Sequence, residues 1–219
     1  MAHEQLNLVE LRKIFTSSLA SDCLDKLGYG RQVLNEDINM LSGSGIMMGY
    51  AFPVRLEIVN SFPEVPYIGL LKALDAVGKD QVYVTPTNRT GRAALWGELL
   101  STACAFKGVA GALTDGPIRD LSRTDAMGFK VFATGTLPVD INGRYEVVEH
   151  NVSCEIDGVT INPGDLIVGD NDGVTIVPVA AIDAVVEAVI EKNSGENLFR
   201  KAVKEGMSPS AAFAKFGVL

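Results

Sequence analysis

Cysteine is scarce in this chain, with three among 219 residues, Cys23, Cys104 and Cys154, and no CxxC spacing. That count and spacing exclude a disulfide framework and a zinc knuckle, and three buried thiols in a reducing compartment are expected. Histidine is scarcer still, and His3 and His150 stand far from any pattern of carboxylates, so neither is taken as a ligand. Basic charge is also short: 27 acidic against 19 basic residues give a net charge of −8. A broad nucleic-acid surface needs clustered Lys and Arg, so no nucleic-acid partner is expected, although one arginine is enough for a local anion pocket. No uninterrupted apolar run approaches the roughly 20 residues that span a bilayer. The opening Met-Ala-His-Glu-Gln has neither the basic nor the long apolar region of a signal peptide. A cytoplasmic protein without a membrane partner is the expectation. Low-complexity stretches, internal repeats and linker-like runs are missing too.

What is present is ordinary globular material, 47% apolar and 21% charged, enough for a sizeable core in one domain over 1–219. Leu8, Leu11, Phe15, Leu19, Cys23 and Leu27 share a helical face within a 1–30 segment, with a break or cap expected at Ser21-Asp22. A strand is expected over Ile46–Val59, where Gly43, Gly45 and Gly49 permit close packing. A helix over Ile68–Val77 and a strand over Gln81–Val84 follow. Leu99–Phe106 reads as helix, Gly108–Thr114 as a buried strand, Ile118–Met127 as helix and Lys130–Ala133 as strand. Glu146–Ile161 reads as two antiparallel strands around Asp157-Gly158, and Asp165–Val177 as a hairpin turning at Asn171-Asp172-Gly173. Helices over Ala181–Lys192 and Glu196–Glu205, and a turn of helix after Ser208-Pro209, form a 180–219 extension suited to subunit contacts. The whole is an α/β pattern with helical extensions at both ends.

Two acids and an arginine stand out in this pattern. Glu98 falls at a helix start, where free backbone N–H groups and the helix dipole favour an anion. Arg119-Asp120 follows Asp115-Gly116-Pro117-Ile118, just past a strand's carboxyl end, the usual place for ligands in open α/β sheets. Taken alone, Arg119-Asp120 also reads as a surface pair at a helix start. Gly43 to Gly49 has the wrong spacing for a dinucleotide loop, and Asp170-Asn171-Asp172-Gly173 lacks the acid a calcium loop needs, since Ala181 stands at its twelfth position. Lys72 and Lys79 have no context that marks a Schiff-base nucleophile, and Ser101, Thr102 and Cys104 have no local histidine.

The segments Gly97-Glu98-Leu99-Leu100, Gly108-Val109-Ala110-Gly111, Asp115 to Asp120, Gly128 to Phe132, Pro163 to Val168 and Asp170 to Val174 together resemble the RraA-like proteins. That group includes the class II 4-hydroxy-4-methyl-2-oxoglutarate/4-carboxy-4-hydroxy-2-oxoadipate aldolases. The resemblance covers roughly residues 20 to 215, and Arg119-Asp120 stands twenty-two residues after Gly97-Glu98, the family's spacing. It implies a swivelling β/β/α domain. It implies that Asp120 is the carboxylate ligand of Mg²⁺ or Mn²⁺, and that Glu98 holds a water of that ion. Arg119 would contact the pyruvoyl group, and backbone N–H groups at Gly97, Glu98, Leu99 and Leu100 would bind the substrate carboxylate. Glu196 would be contributed by a neighbouring subunit of a homotrimer or dimer of trimers. The implied activity is metal-dependent cleavage of a 4-hydroxy-2-oxo di- or tricarboxylic acid to pyruvate and a second oxo acid, with oxaloacetate decarboxylation alongside. Tyr50, Phe62, Tyr67 and Arg92 are candidates for the wall that holds the distal half of the substrate. Two other readings share the family: a dedicated oxaloacetate decarboxylase, and a regulatory protein that binds an endoribonuclease.

Overall fold

Alternation of apolar side chains along the central strands decides which layer lies on each side of the sheet. The computed structural model describes residues 6–89 and 93–218. Helices α1 (Leu8–Leu11) and α2 (Ser17–Lys26) precede β1 (Asn39–Ser42) and the long β2 (Met47–Ile58). Then come α3 (Ile68–Ala76), β3 (Gln81–Thr85), α4 (Glu98–Phe106), β4 (Gly111–Thr114), β5 (Pro117–Ile118), α5 (Leu121–Ala126), β6 (Val131–Ala133) and β7 (Gly135–Thr136). The chain continues through β8 (Tyr145–His150), β9 (Cys154–Ile156), β10 (Val159–Ile161), β11 (Leu166–Asp170) and β12 (Gly173–Val177) to α6 (Ile182–Lys204) and α7 (Pro209–Phe216).

The main sheet runs β1-β6-β4-β3-β2-β11-β12, with β8 paired to the far half of β2. Its middle is parallel, β2 to β3 to β4 to β6. Its flanks, and β8, are antiparallel. One face carries Ala51, Val82, Val84, Leu113, Phe132 and Ile167, covered by Leu34, Ile38 and the β9–β10 hairpin. The opposite face is divided. Met48, Leu166 and Val168 lie under α2 and α6, whereas Phe52, Val54, Tyr83, Ala112 and Val131 lie in the cluster that includes α3 and α4 residues. Because side chains alternate along a strand, adjacent residues such as Val82 and Tyr83 enter different layers.

The sequence pattern locates most elements, and the departures have local causes. The first helical stretch breaks before Ser17 rather than at Ser21-Asp22: the Thr16 hydroxyl accepts the Leu19 N–H at 3.0 Å and caps α2. Asp22 lies within that helix and pairs with Lys192. The stretch before Thr114 is a strand only from Gly111, since Gly108, at φ +73, and Val109 close the end of α4. Glu146–Ile161 is not one hairpin. Asn151, with φ +57, turns the chain between β8 and β9, so that β8 pairs with β2 and only β9 and β10 form the hairpin at Asp157-Gly158. The two expected helices over 181–205 are one, α6. It passes through Asn193-Ser194-Gly195, with no proline to stop it, while the Ser194 hydroxyl bonds back to Ile190 O at 3.0 Å. Val218 packs at Gly195, where an added Cβ would meet its methyl at 3.1 Å. No helix among the described residues is long and apolar enough to cross a membrane.

Helix α3 sits unusually close to β8. A Cβ built at Gly69 would lie 1.6 Å from the backbone oxygen of Val147, so only glycine admits this approach. Gly69→Ala is expected to push α3 off the sheet and cost about 3 kcal/mol, lowering Tm by roughly 6–12 °C. Thermal denaturation followed by circular dichroism checks this, and an unchanged Tm contradicts the packing.

Candidate active site

The site is built where the parallel strands β3, β4 and β6 end. Beyond β4, the buried Asp115 carboxylate accepts the Thr87 N–H at 2.5 Å, fixing the β3–α4 loop against the turn that follows. The chain from Ala94 to Trp96 then runs alongside the next loops. Ala94 N–H donates to Val139 O at 2.7 Å, Leu95 N–H to Pro117 O at 3.0 Å, and Arg119 N–H to Trp96 O at 2.9 Å. These bonds bring Gly97 against Arg119-Asp120. A Cβ at Gly97 would stand 2.9 Å from Asp120 Oδ2 and 3.2 Å from Arg119 Cγ, so the absence of a side chain makes the site.

Gly97 ends this extended segment and begins α4, whose start has no side-chain cap. Trp96 is the anchor for the helix start. Its indole N–H donates to Ser101 Oγ at 2.8 Å, and that hydroxyl donates to Gly97 O at 3.0 Å. The ring stacks on Phe129 at 6.0 Å and packs on Tyr83 at 5.2 Å. The Ser101 hydroxyl thus ties Trp96 to the start of α4. Burial pushes the Cys104 and Cys154 thiols up to about 12, which leaves them protonated and unreactive near neutrality. All three cysteines are free; Cys23 and Cys104 are buried as expected, and Cys154 only partly so.

Arg119, Asp120, Gly97, Leu99 and Leu100 line one cavity of about 340 Å³. Asp120 adopts a left-handed conformation, φ +56, at the start of α5 and makes no side-chain cap bond. That geometry turns its carboxylate away from its own helix. Arg119 lies between two acids, its Nε 3.6 Å from Asp120 Oδ2 and its Nη1 3.3 Å from Asp140 Oδ1. The other oxygen of Asp140 accepts a hydrogen bond from the Tyr67 hydroxyl. That bond, with burial second, raises the Tyr67 phenol above the ordinary tyrosine range, so it remains a donor at neutral pH. Glu98 stands at the first position of α4, half-buried, with the Thr102 hydroxyl 3.0 Å from both its Oε1 and its carbonyl oxygen. It adjoins the cavity without forming its wall.

Glu196 is not brought to this cavity by its own chain. It lies on α6, paired with Arg200 at 2.5 Å, and that helix packs on α2 over the other half of the sheet. Of the candidates for the distal wall, Tyr67 lines the cavity. Tyr50 packs instead beneath α2 and α6, and the exposed Phe62 lies over Gly143. Arg92 and His3 lie outside the described residues. Sequence reasoning missed Asp140 and the α3 leucines. Asp140 sits in Pro138-Val139-Asp140-Ile141-Asn142-Gly143, which looks like any polar turn. Leu70, Leu71 and Leu74 read as the buried stripe of a helix. No group of three or more His, Cys, Asp or Glu side chains gathers to hold a metal among the described residues.

Residues 17–176 match the family described as RraA-like, Aldolase/RraA, a span that contains every site residue named above except Glu196. A protein of Halalkalibacterium halodurans, provisionally named 4-hydroxy-4-methyl-2-oxoglutarate aldolase, is 25% identical over 213 residues, covering 97% of this chain and 96% of that protein. An uncharacterised protein of Methanocaldococcus jannaschii is 33% identical over 179 residues, 81% of this chain and 82% of its own. The crystal structure of Streptomyces coelicolor RraAS2, described as an unusual member of the RNase ES inhibitor RraA protein family, superposes with a TM-score of 0.77. It is 25% identical, with 91% of this chain and 99% of that one covered. With its curled mixed sheet, flanking helices and the Gly97-Glu98 and Arg119-Asp120 segments in one place, this chain belongs to the RraA-like (Aldolase/RraA) family.

Proposed function

We propose that the protein cleaves a 4-hydroxy-2-oxo acid to pyruvate and a second carbonyl compound, using Mg²⁺ or Mn²⁺ held by Asp120. Decarboxylation of oxaloacetate, which passes through the same enolate, is its side activity. The observation that carries this reading is the meeting of the Asp120 carboxylate, the Arg119 guanidinium and the uncapped start of α4 on one cavity wall. The donor set suits a hard cation, which is commonly held by one or two carboxylates and keeps several waters. Asp120 offers such a carboxylate, free of any helix-cap bond and facing backbone without a Cβ at Gly97.

A divalent ion, when bound, supplies Lewis-acid polarisation of the 2-oxo group. The chain's own residues account for the rest. The start of α4, from Gly97 to Leu100, offers N–H groups and the positive end of the helix dipole to the substrate's C1 carboxylate. Arg119, held from both sides by Asp120 and Asp140, presents a fixed charge where negative charge develops on the C2 oxygen. Loss of the 4-hydroxyl proton makes the new carbonyl as the C3–C4 bond breaks. Its electron pair passes to C3, which later takes up a proton to give pyruvate. Glu98, oriented by Thr102 beside the cavity, is the acid we assign to take the 4-hydroxyl proton through a water.

The cavity rim is apolar, with Leu71 and Leu99 55% and 72% exposed. We assign this rim to contact with a second copy of the chain in a homotrimer or dimer of trimers. In that assembly Glu196 of the partner subunit completes the site.

Asp120→Ala is expected to lower metal-dependent pyruvate release, from 4-hydroxy-2-oxo acids and from oxaloacetate, by at least about 10³-fold, the scale of a lost electrostatic catalytic element. Chelator should do the same to the unaltered protein in a coupled lactate dehydrogenase assay. The variant should keep the parent's mass in light scattering, ~70 kDa or a multiple for assemblies of 23.3 kDa chains. Full turnover in the variant or in chelator contradicts the assignment and moves the endoribonuclease-binding reading ahead. Gly97→Ala tests the same wall by filling it. The added methyl should raise KM at least tenfold while shifting Tm by less than 3 °C, and an unchanged KM places the substrate elsewhere.

A further inference from the structure

Arg119 and Asp120 are neighbours in the chain, and the proposed function makes conflicting demands on them. Asp120 has to turn its carboxylate to a divalent ion, while Arg119 carries the charge that this carboxylate would otherwise pair with. A guanidinium and a carboxylate so placed ordinarily close into a fork of two short bonds. Here the pair is held open. Arg119 Nε stands 3.6 Å from Asp120 Oδ2, longer than a hydrogen bond, and Nη1 lies 3.3 Å from Asp140 Oδ1.

Asp140 is itself fixed. Its second oxygen accepts the Tyr67 hydroxyl, and its carbonyl oxygen accepts a bond from Arg144 Nη1 at 3.1 Å. The loop that carries it is tied down by Leu137 N–H to Ile118 O at 2.9 Å and Ala94 N–H to Val139 O at 2.7 Å. Tyr67, at φ +65, immediately precedes α3, the helix that Gly69 seats against β8. A brace therefore runs from β8 and α3 through Tyr67 and Asp140 to Arg119.

We infer that Asp140, braced by Tyr67, is a positioning residue for the metal ligand. By holding Arg119 and balancing its charge, it keeps the Asp120 carboxylate open to a divalent cation. Without Asp140, Arg119 turns to its neighbour Asp120 and occupies a carboxylate oxygen. It also leaves an unbalanced positive charge beside the ion's place. Both effects weaken binding of a dication, so their signs agree. Neither Asp140 nor Tyr67 has to touch the ion, since partners of a ligand tune a metal site from outside it. This inference rests on the proposed function, because it takes Asp120 as the metal ligand.

Mn²⁺ alone is the probe, and electron paramagnetic resonance reads its binding to the full-length protein without substrate or turnover. The unaltered protein should bind Mn²⁺, and Asp120→Ala should lose it. Asp140→Asn keeps the size and removes the charge, and it is expected to bind Mn²⁺ at least about tenfold more weakly. Tyr67→Phe keeps every charge and removes one hydrogen bond, for an expected loss of at least about threefold. Asp140→Glu, which restores the charge, should bind more tightly than Asp140→Asn. All three should keep the parent's Tm and light-scattering mass, so that lost affinity is not lost fold. Parent affinity in a folded Asp140→Asn overturns the inference and leaves the aldolase reading standing. Weaker binding in Asp140→Asn with none in Tyr67→Phe overturns the role given to Tyr67. Where Asp140→Asn is poorly folded, Tyr67→Phe decides alone, and parent affinity there overturns the inference. Mn²⁺ binding that Asp120→Ala leaves intact removes the proposed metal site itself, and the inference with it.

Discussion

The site depends on the side chains of Asp120 and Arg119 lying where a side chain at position 97 would stand. Gly97 lies where a Cβ would touch the Asp120 carboxylate, and the bond from Arg119 N–H to Trp96 O locks that approach at 2.9 Å. The consequence is chemical as well as steric. Closing the gap puts the open start of α4, a guanidinium and a carboxylate on one wall, although α4 and α5 belong to successive strand–helix units. The stacked pair of Trp96 and Phe129, with Tyr83 beside it, carries the position of Gly97 into the buried cluster beneath α3 and α4. Packing of the core and placement of the site are thus one problem, since Trp96 itself lines the cavity beside Gly97.

Charge within the site is arranged in the same economical way. Arg119 is held by acids on both sides, so its guanidinium has a fixed direction before any ligand arrives. Two residues at the cavity adopt the left-handed conformation without being glycine, Tyr67 at φ +65 and Asp120 at φ +56. Such conformations cost roughly 1 kcal/mol or more for ordinary residues and persist where the surroundings enforce them. Here each one aims a side chain that lines the cavity. Tyr67 reaches Asp140, and Asp120 turns from its helix toward Gly97.

Much of this was legible in the sequence, for identifiable reasons. The spacing of Gly97-Glu98 and Arg119-Asp120, each just past a strand or at a helix start, pointed to the cavity that the fold then builds around three of them. The short apolar, strand-favouring run Val82-Tyr83-Val84 marked a strand that the fold buries on both faces. Other features were hidden. Asp140 matters only because the 138–142 loop returns beside Ala94 through the bond from Ala94 N–H to Val139 O, a contact between residues far apart in sequence. The continuity of α6 through Gly195 depends on Val218 packing there, and β8 leaves its neighbours because β2 is long enough to pair with it. Periodicity carries no sign of such long-range partners. Glu196 shows the same limit from the other side: a motif can suggest its role, while its own chain sets it on α6, paired with Arg200.

In the proposed function, Asp120, Arg119 and the start of α4 form one site for a divalent ion and a 2-oxo acid. Its most direct test is a crystal structure of the protein with Mn²⁺ and oxalate, a planar mimic of the pyruvate enolate. An anomalous Mn²⁺ peak is expected at the Asp120 carboxylate, with oxalate against the N–H groups of Gly97 to Leu100 and within hydrogen-bonding reach of Arg119. Manganese bound at other residues, or oxalate lying away from α4, contradicts it.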